Sequence, residues 1–77
     1  MNRKRMNEVM KLQFELDDIK DRLQELRDEE EEALGNLPES LQDSEKGERM
    51  QEYIDAMEEI ISDIENVSSS FDDLETI

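Results

Sequence analysis

Two long stretches of this sequence, Met1–Leu34 and Met50–Ile77, contain neither glycine nor proline, while Gly35, Pro38 and Gly47 all fall between them. Each stretch also carries a strict apolar rhythm. In the first, apolar residues stand at Val9, Leu12, Leu16, Ile19, Leu23, Leu26 and Ala33, alternating steps of three and four, with Glu30 filling the one missing step. That is the a/d heptad of a coiled-coil seam. Met6 lies near the same face; Met10 and Phe14 lie off it. In the second stretch Met50, Ile54, Met57, Ile61, Ile64, Ser68 and Phe71 keep the same rhythm, and Tyr53, Ile60, Val67 and Leu74 form a further column repeating every seven residues. Three apolar positions per heptad make a stripe wider than one partner helix needs.

The punctuation divides the chain. Gly35 suits the position just past a helix end, with left-handed backbone, and Pro38 prevents continuation. Leu37–Gln42 is compatible with a single helical turn. Ser44 suits an N-cap, with Glu45 favourable at the positive helix end. The reading is a single all-α domain over 1–77: helix about 3–34, connection 35–44, helix about 45–75. Matched lengths of ~45–48 Å, at ~1.5 Å per residue, and a short connection predict an antiparallel two-helix hairpin. Charge agrees with it. Residues 1–27 hold seven bases and six acids, whereas residues 28–77 hold two bases and eighteen acids. An antiparallel hairpin sets Arg3, Lys4, Arg5 and Lys11 beside Glu65, Asp72, Asp73 and Glu75. The extra column on the second helix predicts either a homodimer, two hairpins forming a four-helix bundle, or a monomer with one face reserved for a partner. The residues expected on that apolar face are Tyr53, Ile60, Val67, Leu74, Met10 and Phe14.

Composition argues against chemistry. The chain has no Cys, and so no disulfide or thiolate metal site, and no His, the commonest general base and transition-metal ligand. Asp28, Glu29, Glu31 and Glu32 do not have the spacing of a calcium loop. Ser68, Ser69 and Ser70 have no neighbouring base to activate them. No glycine-rich loop is present to cradle phosphate. The expectation is a non-enzyme with no catalytic residue, cofactor or metal. The serines have a structural reading instead. Ser68 weakens a seam position, and Ser69-x-x-Asp72 and Ser70-x-x-Asp73 resemble helix starts, so a bend or restart is expected there. Phe71, Leu74 and Ile77 would then fold over the hairpin end. No apolar run approaches membrane-spanning length, and the N-terminus lacks a secretory core. The expected location is the cytoplasm.

What remains is charge: 24 acids against 9 bases, net −15. Such a chain repels nucleic acid and anionic membranes and suits a basic protein surface. The expected partner-binding acids are Glu29, Glu31, Glu32, Glu52, Asp55, Glu58, Glu59 and Asp63. Spread over a ~45 Å rod, the net charge reaches about half the density of duplex DNA, and a dimer approaches it. An acidic rod of this kind suits a basic nucleic-acid-binding groove. The plainer reading is a solvated surface that keeps a small bundle soluble. The acids of Asp28–Glu32 oppose the dipole at a helix C-terminus, so helix stability does not account for them.

The segment "LPESLQDSEKGERMQEYIDAMEEIISDIENV", within a likeness covering about residues 28–67, resembles small acidic proteins of phages and mobile elements in Gram-positive bacteria. The shared features are an acidic first helix, a connection of this style and a second helix with repeated Asp/Glu–Ile/Leu spacing. The resemblance implies a hairpin; it brings no activity or site residues. Charge and size are also similar, without a shared motif, to the nucleic-acid-mimicking inhibitors that phages use against host defence proteins.

Overall fold

A computed structural model describes all of residues 1–77 as three helices: α1 (Arg3–Gly35), α2 (Glu39–Gln42) and α3 (Glu45–Glu75). Local chemistry sets their ends. The Asn2 side chain accepts a hydrogen bond from the Arg5 backbone N–H at 2.8 Å and caps α1. Ser44 caps α3, its hydroxyl oxygen accepting from the Gly47 N–H at 3.4 Å while its O–H donates to the Leu41 carbonyl. Glu45 and Glu48 occupy the first turn of α3, where negative charge is favourable.

α1 and α3 pack against each other along a rod of 59 × 15 × 13 Å. The pairing is antiparallel. The Gln13 amide donates to Asp72 Oδ1 at 2.9 Å, the Ser68 hydroxyl donates to Asp17 Oδ1 at 2.9 Å, and Arg27 feels the charge of Glu58. In the hydrogen-bonded pairs 13 with 72 and 17 with 68 the residue numbers add to 85, and Gln13 also reaches Ser68, one turn from Asp72, so this end of the rod has a defined antiparallel level.

The core is thin. Ile54, 2% exposed, and Ile61, 5% exposed, are the only buried apolar side chains. Met50, Met57, Ile64 and Phe71 flank them, half-buried. Across the interface α1 contributes Val9, Leu16 and Leu23, also half-buried.

The remaining half of the expected α1 seam points elsewhere. Leu12, Ile19 and Leu26 are 53%, 52% and 55% exposed. Their place inside the hairpin is taken by Gln13, Lys20 and Arg27, all half-buried. The cause is polar. Ser68 continues the Ile54–Ile61 column, and its hydroxyl needs a partner. Rotating α1 toward Gln13 and Asp17 supplies two: the hydroxyl donates to Asp17 Oδ1 at 2.9 Å and accepts from the Gln13 amide at 3.4 Å. Lys20 and Arg27 fit the same stripe because their aliphatic stems can cover apolar surface while their charges reach water.

Two expectations are corrected, those on the serine run and on Gly35. The serine run neither bends nor restarts the helix: α3 continues to Glu75, and Ser70 donates to the Asn66 carbonyl one turn back at 3.2 Å. No ion pair joins the basic start of α1 to the acidic end of α3. The two ion pairs present, Arg27–Asp28 at 3.0 Å and Arg49–Glu45 at 3.3 Å, each lie within one helix, and Gln13 makes the cross-link instead. Gly35 is the last residue of α1 and not left-handed; no residue has positive φ, and Asn36 follows at φ −87°, ψ −7°. Pro38 therefore supplies the stop. A Cβ at Gly35 meets nothing within 4 Å. Gly35→Ala is thus expected to raise stability by about 0.5 kcal/mol, mainly by restricting the unfolded chain, read as a higher urea midpoint.

Candidate binding surfaces

An exposed apolar face is built jointly by the two long helices. Ile19, Leu26 and Ile60 line one open depression, with Leu23 and Ile64 also lining it and Arg22 at its edge. Residues seven apart share a helical face. The face therefore extends along α1 through Leu12 and Ala33, and along α3 through Tyr53, Val67 and Leu74. Tyr53, Ile60 and Val67 are 60%, 47% and 50% exposed; Leu74 is half-buried. At the chain ends, Leu74 and Ile77 line a second depression with Met1 and Met6.

Met10 and Phe14 stand apart from this face. Phe14 is two residues from Leu12, about 200° around a helix of 3.6 residues per turn. Met10 lies on the flank of Asp17 and Gln24, on the polar-linked side of the hairpin. The structure thus adds Leu12, Ile19 and Leu26 to the apolar face. Their heptad spacing marked them as apolar stripe residues; nothing local marked them as outward.

The acids wrap the rod. Arg27 pairs with Asp28 at 3.0 Å and lies within the field of Glu31 and Glu58. Its guanidinium is held above the ordinary value, first by its hydrogen bond to Asp28, then by the charges of Asp28, Glu31 and Glu58, against the opposing effect of desolvation. Glu29 and Asp63 border the apolar face, one on each helix. Glu32, Glu52, Asp55 and Glu59 lie on the outer sides of their helices. All eight are exposed. No three His, Cys, Asp or Glu side chains are grouped so as to hold a metal ion, and no helix is long and apolar enough to cross a membrane.

No protein-family model matches the chain, and no curated protein or solved structure matches it.

Proposed function

We propose that this protein is a non-enzymatic binding module whose acidic helical rod docks in a basic groove of another protein. In its most concrete form it is a phage or mobile-element inhibitor. Acting in the host cytoplasm, it keeps a nucleic-acid-binding protein, such as a defence protein, from its ligand. One observation carries this reading: the negative charge is unspent. Of 24 acids, only Asp28 and Glu45 take part in ion pairs. A net charge of −15 along 59 Å is one charge per about 4 Å, and two copies side by side give one per about 2 Å, close to the ~1.7 Å of duplex DNA.

The test is capture of basic proteins from host lysate at low and high ionic strength. Exposed charge contacts are screened by salt, so partner recovery should fall steeply as salt rises. Glu52→Lys, Asp55→Lys and Glu59→Lys together are expected to weaken capture by about tenfold, at about 0.5 kcal/mol for each reversed surface contact, with helicity unchanged. Capture indifferent to salt and to these reversals sinks the acidic reading. A second reading, a structural dimerisation or scaffolding module without nucleic-acid mimicry, is favoured by the exposed apolar face.

A further inference from the structure

We infer that the face carrying Ile19, Leu26, Ile60 and Val67 is covered by a second copy of this chain, with α1 of each copy packed antiparallel on α3 of the other around a two-fold axis parallel to the helices. The assignment stands on area, charge and register, and it does not depend on the acidic-groove reading.

Area comes first. The chain exposes 6036 Å², whereas a compact monomer of 9.1 kDa exposes about 4,900 Å². The excess of about 1,100 Å² comes from the elongated 59 × 15 × 13 Å shape, and side-by-side pairing of two rods, at about 800 Å² per partner in a stable interface, removes most of it.

Charge comes second. The two apolar columns end in Arg5 and Lys46, and their outer borders carry Arg22 and Arg49. Against these four bases stand four bordering acids, Glu8, Glu15, Glu29 and Asp63. The face is therefore neutral on balance, and the other five bases and twenty acids put the entire net −15 on the rest of the surface. A strongly basic partner gains nothing from a neutral face. A second copy meets no net repulsion there.

A two-fold parallel to the helices permits no axial slide. The partner's α3 must then face α1 at the level already fixed inside the hairpin, which the hydrogen-bonded pairs Gln13–Asp72 and Asp17–Ser68, each adding to 85, define. Within one residue of that level, Leu12 meets Leu74, Ile19 meets Val67, Leu26 meets Ile60, and small Ala33 meets large Tyr53. On the border Arg22 meets Asp63, Glu15 meets Ser70 and Glu29 meets Ala56, so opposite charges pair and no like charges oppose each other. A two-fold perpendicular to the helices stacks α1 on α1. Centred on the apolar face, between Ile19 and Leu26, it sets Glu15 against Glu29. The parallel axis is the arrangement without conflict.

The experiment is sedimentation equilibrium of the full chain across the micromolar range, at low and high salt. The expected mass is twice 9.1 kDa. Association should strengthen with salt, because screening relieves repulsion between two acidic copies, opposite to the salt response of an acidic-groove contact. Ile60→Glu should yield a monomer with undiminished helicity, since that side chain is already half-exposed in the hairpin. Geometry is read by mixing single-cysteine chains, Ile19→Cys with Val67→Cys, under mild oxidation. The mixed disulfide should dominate over either self-pair. A monomeric parent gives the face to a different partner and overturns the proposal; so does an Ile60→Glu chain that remains dimeric. Efficient self-pairing of each cysteine variant overturns the axis. Since Ile60→Glu leaves the outer acids in place, partner capture by that variant tests the acidic reading separately.

Discussion

Ile54→Ala is expected to cost about 3 kcal/mol of stability, within the usual range for truncating a buried Ile, and to be among the most damaging single truncations in the chain. The reason is scarcity. Ile54, at 2% exposure, and Ile61, at 5%, are the only apolar side chains sealed from water. A chain of 77 residues has a total stability of about 4–12 kcal/mol at typical values per residue, so the loss is a quarter or more of the whole. The vacated space is open to little repair, because a thin seam has no second layer to collapse inward. Phe14→Ala is the control: its ring is 70% exposed, and alanine is the better helix former, so its melting curve should match or exceed the parent's. Urea unfolding followed by far-ultraviolet circular dichroism separates the two. If Ile54→Ala unfolds at the parent's midpoint, the core is not where the structure puts it.

The helices and their ends were legible in the sequence because they rest on local signals. Apolar rhythm, Pro38 and the Ser44 cap all act within a few residues of themselves, and α1 ends at Gly35 while α3 begins just after Ser44. The rotation of α1 was not legible. A rhythm of threes and fours fixes the period of a helix face, but not which of two adjacent stripes turns inward. Val9, Leu16 and Leu23 belong to both readings. The choice falls to Gln13, Asp17, Ser68 and Asp72, whose hydrogen bonds join residues 51 to 59 positions apart. The signal that could have found it is the polar residue interrupting each seam. In an antiparallel pair, Ser68 in the Ile54–Ile61 column stands level with Asp17, and a half-buried hydroxyl draws a partner.

The candidate surfaces divide in the same way. That the chain is acidic is composition, and it needs no fold. That the acids surround the rod while one neutral apolar face stays open depends on the phase of both helices. Had Leu12, Ile19 and Leu26 turned inward, α3 alone would carry an exposed apolar column on that side, and a single column is a poor platform for another hairpin. With them outward, each long helix contributes one column to a shared face. The polar network on one side of the seam thus determines what the other side can bind.

Gly47→Ala is expected to destabilise the protein by about 2 kcal/mol, as overpacking against fixed structure does, although the same change elsewhere in a helix ordinarily stabilises by up to about 1 kcal/mol. The reversal of sign follows from space, not from backbone angle, since no glycine has positive φ. Gly47 is the third residue of α3 and is buried against the end of α2. A Cβ there runs into the Gln42 carbonyl oxygen and comes within 2.6 Å of the Gln42 carbonyl carbon and 2.8 Å of the Leu41 carbonyl oxygen. All three obstacles are backbone, so no change of rotamer relieves them; α2 must move off α3. That movement strikes the cap as well, because the Leu41 carbonyl accepts from the Ser44 hydroxyl and Ser44 in turn accepts from the Gly47 N–H. The damage should therefore concentrate at the closed end of the hairpin. Hydrogen exchange is expected to speed up at Gln42–Glu48 and to stay slow near Ile54 and Ile61. Thermal melts of Gly35→Ala and Gly47→Ala should move in opposite directions from the parent. If both rise, the close approach of α2 to α3 is absent in solution and Gly47 is only a helix glycine.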